Sequence, residues 1–208
     1  MDKQLLKLLI KKRKNVYADP KSVLKAYDAF LEANGIYHSF NQEAFLNSIK
    51  NKGHLCEDTW SFLSKATYDN EKEFLLNCLL RMGCKRNLLV EFVLNVFEEQ
   101  RQNEYLWHYA DFLYSLKEYE FLDEYLKLIM DQDYGSSREM LILLVGESKQ
   151  NKVIPYLKEL LSDAQIVGHV LTALSNFSDN GIGLIMKEYI NHPQRWISNV
   201  AQKYLASH

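Results

Sequence analysis

Apolar residues recur in this chain at three- and four-residue intervals almost throughout, which is the period of an amphipathic helix. The pattern is plainest from Ser137 to Asp163, SREMLILLVGESKQNKVIPYLKELLSD. An apolar helix ends there near Gly146, a short polar link follows, and a second helix runs from about Asn151 to Ser162-Asp163. One such pair leaves apolar faces uncovered, so it needs copies of itself on either side. The copies are present. Second helices written in register read LVEFVLNVF (Leu89–Phe97), LDEYLKLIM (Leu122–Met130), VIPYLKELL (Val153–Leu161) and IGLIMKEYI (Ile182–Ile190), at offsets of 33, 31 and 29 residues. Positions one, five, eight and nine of each nonamer are apolar, one face of a 3.6-residue helix. The matching first helices are Phe74–Met82, Trp107–Ser115, Arg138–Gly146 and Val167–Ser175, and Gln194–Ser207 predicts a lone closing helix with a polar outer face.

Upstream the helices continue without an alignable repeat. Leu5, Leu8, Leu9 and Val16 share one face of a helix from Lys3 to about Tyr17, with Lys7, Lys11 and Lys14 opposite. It reads as a solvated capping helix, with an anionic lipid surface as the competing role. Asp19-Pro20 predicts a helix start and Asn34-Gly35 its end. A helix capped by Ser39 or Asn41 runs through Lys50 to a stop at Gly53, and another spans Glu57–Ala66. No Ser/Gly/Pro-rich linker interrupts the chain. The organisation is therefore read as one domain, residues 1–208, with N-terminal helices over 1–68 and helix pairs with a closing helix over 69–208.

The pair beginning at Arg138 resembles a HEAT repeat of the short bacterial kind. Arg138 near the start of the first helix, Gly146 near its end, then Ile154-Pro155, Leu157, Leu160-Leu161 and Asp163 fill that family's positions. The match weakens towards the N-terminus, where the Arg and the Pro are missing and spacing alone carries it. The resemblance implies an all-α, right-handed α-α superhelix (a HEAT-like solenoid) with an irregular helical N-terminal third. It speaks for a fold and not for a chemistry.

Composition adds limits. Glycine (8) and proline (3) are scarce, which disfavours a turn-rich β fold. No apolar run reaches the roughly 18 residues that cross a bilayer. Lys11-Lys12-Arg13-Lys14 stands where a secretory signal would carry its cleavage site, so a cytoplasmic location is expected. Three cysteines, Cys56, Cys78 and Cys84, form no CxxC; they read as small buried side chains in a reducing compartment, without a disulfide or zinc site. Charge is uneven. Residues 1–25 hold eight Lys/Arg and two Asp; residues 26–135 hold ten Lys/Arg against nineteen Asp/Glu; residues 136–208 hold seven against six.

No phosphate-binding, nucleophile-elbow or zinc-protease motif occurs. His54 and Cys56 lack a third metal ligand at useful spacing, and His108 reads as a boundary residue of an aromatic helix. No cofactor is expected. Trp107 to Asp111, aromatics with one Asp on a repeat helix, resembles the alkylpurine DNA glycosylases, which makes a DNA-binding or base-excising protein the alternative reading. The acidic charge of residues 26–135 opposes it, because phosphate contacts need Lys and Arg. The first reading is a non-enzymatic adaptor that binds another protein, a basic one by charge, on its concave face. A bacterial immunity protein that neutralises a basic toxin is one instance that fits the size, charge and fold. In such arrays the second helices line the concave side, so Phe92, Tyr125, Tyr156 and Ile185 at the fourth nonamer position predict either an aromatic column in the groove or, since that position flanks the apolar stripe, side chains packed between the layers. Tyrosine suits interfaces by joining apolar area to a polar tip. Glu91, Asn95, Glu124, Lys127, Lys152 and Glu159 would border it.

Overall fold

The computed structural model describes residues 22–37 and 42–207. The proposed basic helix Lys3–Tyr17, the Asp19-Pro20 start and the Ser39/Asn41 cap lie outside these residues. The described residues form twelve α-helices joined by turns and short 3₁₀ segments, with no strand among them. The chain divides into two compact units, residues 1–89 and 90–208.

In the first unit, α1 (Leu24–Ala33) buries Leu24, Tyr27 and Leu31, one stripe of a helix. Its N-terminus is held by Ser22 Oγ, which accepts the Leu24 N–H at 3.3 Å, and by Glu71, whose carboxylate accepts the Val23 N–H at 3.1 Å. It ends at Gly35, whose φ of 72° turns the chain so that the Ile36 N–H reaches the Leu31 carbonyl at 2.9 Å. Then follow α2 (Gln42–Ser48), α3 (Cys56–Lys65) and α4 (Asp69–Met82), with α4 packed on both α2 and α3. Gly53 opens a 3₁₀ turn, Gly53–Leu55, that leads directly into α3. Glu71, a carboxylate with no exposure, also accepts the Tyr68 N–H at 3.4 Å, so two backbone donors offset its burial.

The cysteine expectation is corrected here. Cys56 and Cys84 form a disulfide, with Cα atoms 6.1 Å apart, and only Cys78 is a free, buried thiol. The pairing arises because α3 and α4 pack side by side: the start of α3 meets the turn after α4, where Gly83 (φ 87°) sends Cys84 back over the helix end. Disulfides persist in oxidising compartments, so the cysteines do not support a reducing one.

The second unit begins within α5 (Arg86–Glu99) and continues through α6 (Leu106–Leu116), α7 (Leu122–Met130), α8 (Glu139–Glu147), α9 (Ile154–Glu159), α10 (Val167–Leu174), α11 (Asn180–Tyr189) and α12 (Arg195–Ser207). The first helices stack in order, α6 on α8, α8 on α10, α10 on α12. α8 shows why: its run Leu141, Ile142, Leu144, Val145, Gly146 is buried all round, so it needs a neighbour on each side. The approach to α10 is close enough to require glycine, since a Cβ on Gly146 would stand 2.6 Å from Ala173 Cα. α7 and α9 flank the stack, packing on α8 and α10 respectively. α9 is short because its ends tighten into 3₁₀ turns, Asn151–Val153 and Leu160–Ser162. Pro155 sits in its first turn, where a missing N–H costs nothing.

Arg138 ties one pair to the next. Its side chain is 1% exposed, and its Nε donates to the Gly135 carbonyl (2.9 Å), its Nη1 to the Ile129 carbonyl (3.3 Å) and its Nη2 to the Asp163 carboxylate (2.6 Å). Burial pushes the Asp163 carboxyl upward, but the Arg138 hydrogen bond and charge and the Gln165 N–H outweigh it and hold the group below its usual range. Glu147 at the end of α8 is held low in the same manner. Burial raises it, and the Lys117 and Tyr114 side chains at the end of α6, both hydrogen-bonded to its carboxylate, lower it further.

Candidate functional site

The second-helix surface of the second unit follows from which side chains the packing uses. On α5, Leu89, Val90, Val93, Val96 and Phe97 are buried. That leaves Glu91, Asn95 and Glu98, spaced four and three residues apart, exposed along one line. On α7 the buried set is Leu122, Tyr125, Leu126, Leu128 and Ile129, which leaves Asp123 and Lys127 exposed and Glu124 half-buried. The two residue sets meet at a hollow of about 280 Å³ lined by Leu94, Phe121 and Leu128 on its apolar side and by Glu91, Asn95, Glu98, Glu124 and Lys127 on its polar side.

The carboxylates of this hollow make no close ion pair among the described residues. Lys152 reaches across from the turn before α9 to Asp123 (2.7 Å), Arg101 pairs with Asp131 (3.0 Å), and Lys158 lies 3.7 Å from Asp179. Among the described residues, Glu91, Glu98 and Glu124 have no ionic partner within 4.0 Å. Further along, Tyr156 on α9 is 42% exposed, with Glu159 exposed on the same helix, and Leu184 on α11 is 64% exposed.

The aromatic column is corrected. Tyr125 has no exposure and packs inside the unit, so it presents nothing to a partner; Phe92 and Ile185 are half-buried, and Tyr156 alone of the four is exposed. The reason is angular. The fourth nonamer position sits at the border of the apolar stripe, where a small rotation of each helix decides between core and surface. Burial leaves the Tyr125 hydroxyl without a hydrogen-bond partner among the described residues and pushes its pKa up, with Glu118 and Glu124 adding to the rise. Of the other residues singled out from the sequence, Glu91, Glu124 and Lys127 line the hollow together, while Lys152 and Glu159 are exposed outside it. Sequence reasoning missed Leu94, Glu98, Phe121 and Leu128. Glu98 had a signal, lying seven residues after Glu91 on the same helical line.

Elsewhere the chemistry is sparse. Cys56 spends its sulfur in the disulfide, so the His54/Cys56 pair offers no thiolate. Among the described residues no group of three His, Cys, Asp or Glu side chains lies placed to hold a metal ion. No helix among them is long and apolar enough to cross a membrane. His108 is half-buried between the rings of Tyr105 (4.1 Å) and Trp107 (3.6 Å). Compared with protein-family models, with curated proteins and with solved structures, the chain matches none.

Proposed function

We propose that the chain is a HEAT-like α-solenoid that binds another protein through its second-helix face, as an adaptor or an immunity-type neutralising protein. The ordered stacking of α6, α8, α10 and α12 and the Arg138 hydrogen bond to the Ile129 carbonyl of the preceding pair support the solenoid reading. The observation that carries the binding role is the hollow between α5 and α7: apolar on one side, lined by three carboxylates and Lys127 on the other, with Tyr156 exposed further along. An exposed face that combines an apolar recess with charged groups has the make-up of an interaction surface. Tyrosine at 42% exposure supplies contact area at small entropic cost.

The test is affinity purification from the native host with two baits, the intact chain and a variant carrying Tyr156→Ala, Glu91→Gln, Glu98→Gln and Glu124→Gln. The reading expects one protein enriched by the intact chain and depleted at least tenfold with the variant, with helical content unchanged by circular dichroism. Equal capture by both baits, or none above an empty matrix, sinks it. Duplex DNA at low salt is the parallel probe, where binding would point to the glycosylase-like alternative.

A further inference from the structure

The chemistry of the hollow narrows what it holds, and the argument rests on the partner-binding reading of this face. At about 280 Å³ and open to solvent, it has room for one or two side chains. Its polar lining sets three carboxylates, Glu91 and Glu98 from α5 and Glu124 from α7, against one cation, Lys127. None of the three has an ion pair within 4.0 Å among the described residues, whereas Asp123, next to Glu124, is paired with Lys152. With three carboxylates against one cation, the hollow favours a cationic occupant over an anionic one. Phosphate-bearing ligands are repelled from the same place. The apolar lining selects further. Phe121 offers an aromatic surface, and Leu94 and Leu128 offer aliphatic ones. A compact ammonium is strongly hydrated and gains little there, whereas a guanidinium is planar, weakly hydrated, stacks on rings and donates in several directions at once. Carboxylates arriving from two different helices suit such a multidirectional donor.

We propose that this hollow holds an arginine side chain from a basic segment of a partner protein, with Glu91, Glu98 and Glu124 taking the guanidinium and Phe121, Leu94 and Leu128 taking its stem and an adjacent apolar residue. Lys127 opposes the occupant and limits its affinity.

The full chain is titrated into a fluorescein-labelled nonapeptide of alternating arginine and leucine, and into the same peptide with citrulline for arginine, which keeps the shape and removes the charge. Fluorescence anisotropy is read at about 50 mM salt, where charge contacts are least screened. The arginine peptide is expected to bind at least tenfold more tightly than the citrulline peptide. Glu98→Gln and Glu124→Gln each weaken binding about tenfold, in line with the loss of one hydrogen bond to a charged group. Lys127→Glu strengthens it several-fold, a change of sign that a purely structural role would not produce. Glu188→Gln, exposed on α11 outside the hollow, leaves it unchanged. Melting curves on every variant establish that it is folded. Equal binding of both peptides, no binding of the arginine peptide, or indifference to the Glu98, Glu124 and Lys127 changes overturns the assignment. Should a host protein be captured through Tyr156 and still bind a variant carrying only Glu91→Gln, Glu98→Gln and Glu124→Gln, the partner-binding face stands and the arginine site falls.

Discussion

Arg138 and Tyr125 are opposite cases of one rule about buried polar atoms. Arg138 is almost wholly enclosed, and each of its donating nitrogens has an acceptor, two carbonyls and the Asp163 carboxylate. Removing the counter-charge by Asp163→Ala strands a buried cation, and a loss of roughly 3–5 kcal/mol is expected in chemical denaturation. Asp163→Asn keeps an acceptor and should lose less. The Tyr125 hydroxyl is enclosed without an acceptor among the described residues. Tyr125→Phe removes only that liability, so it should raise stability by about 1 kcal/mol, read as a melting temperature a few degrees higher. An unchanged or lowered value would mean that the hydroxyl has a partner after all. Neither case was fully legible in the sequence. Arg138 and Asp163 stood out through their resemblance to a repeat, but their contact did not. Tyr125 read as an interface residue because a border position on a helix is ambiguous to within a few tens of degrees.

At the scale of elements, glycines mark where helices come nearest. On α8, a Cβ at Gly146 would meet the backbone of α10 at 2.6 Å, and backbone cannot swing aside. Gly146→Ala should therefore destabilise the second unit by roughly 1–3 kcal/mol. On α10, a Cβ at Gly168 would fall 1.9 Å from Trp196 Cη2, so Gly168→Ala must displace that indole, and a shift in tryptophan emission should report it. On α11, by contrast, a Cβ at Gly183 meets nothing within 4 Å, and Gly183→Ala should stabilise by up to about 1 kcal/mol through helix propensity alone. The helices themselves were largely readable. The first and fifth nonamer positions are buried in all four second helices, and α7 has the bounds its periodicity predicts, Leu122–Met130. The hollow was half readable for a related reason. Periodicity flags charged residues on an outer face, and so found Glu91, Glu124 and Lys127. It assigns every apolar residue to the core, and so passed over Leu94 and Phe121.

For the whole molecule, acid sensitivity follows from Asp163 and Glu147, whose carboxyls are both held below their usual range. A depressed folded-state pKa contributes stability above the unfolded value and loses it as pH falls through the folded one. Stability should thus be flat from neutrality to about pH 5 and decline below about pH 4, with a shallower decline in Asp163→Asn. The disulfide in the first unit was beyond the reach of sequence reasoning, because 28 residues of separation say nothing about two helix ends meeting. Titration of the unfolded, unreduced chain should find one thiol, that of Cys78; three would refute the bond. Reduction, or Cys56→Ser, should cost the first unit roughly 3 kcal/mol. The same bond also sets a mechanical limit. A chain pulled from its two termini transmits tension straight across the sulfurs, so α3 and α4 lie inside a loop that force does not reach. The oxidised protein should then yield roughly 90–100 Å less extension on complete unfolding than the reduced one, about 3.3–3.6 Å for each residue held back.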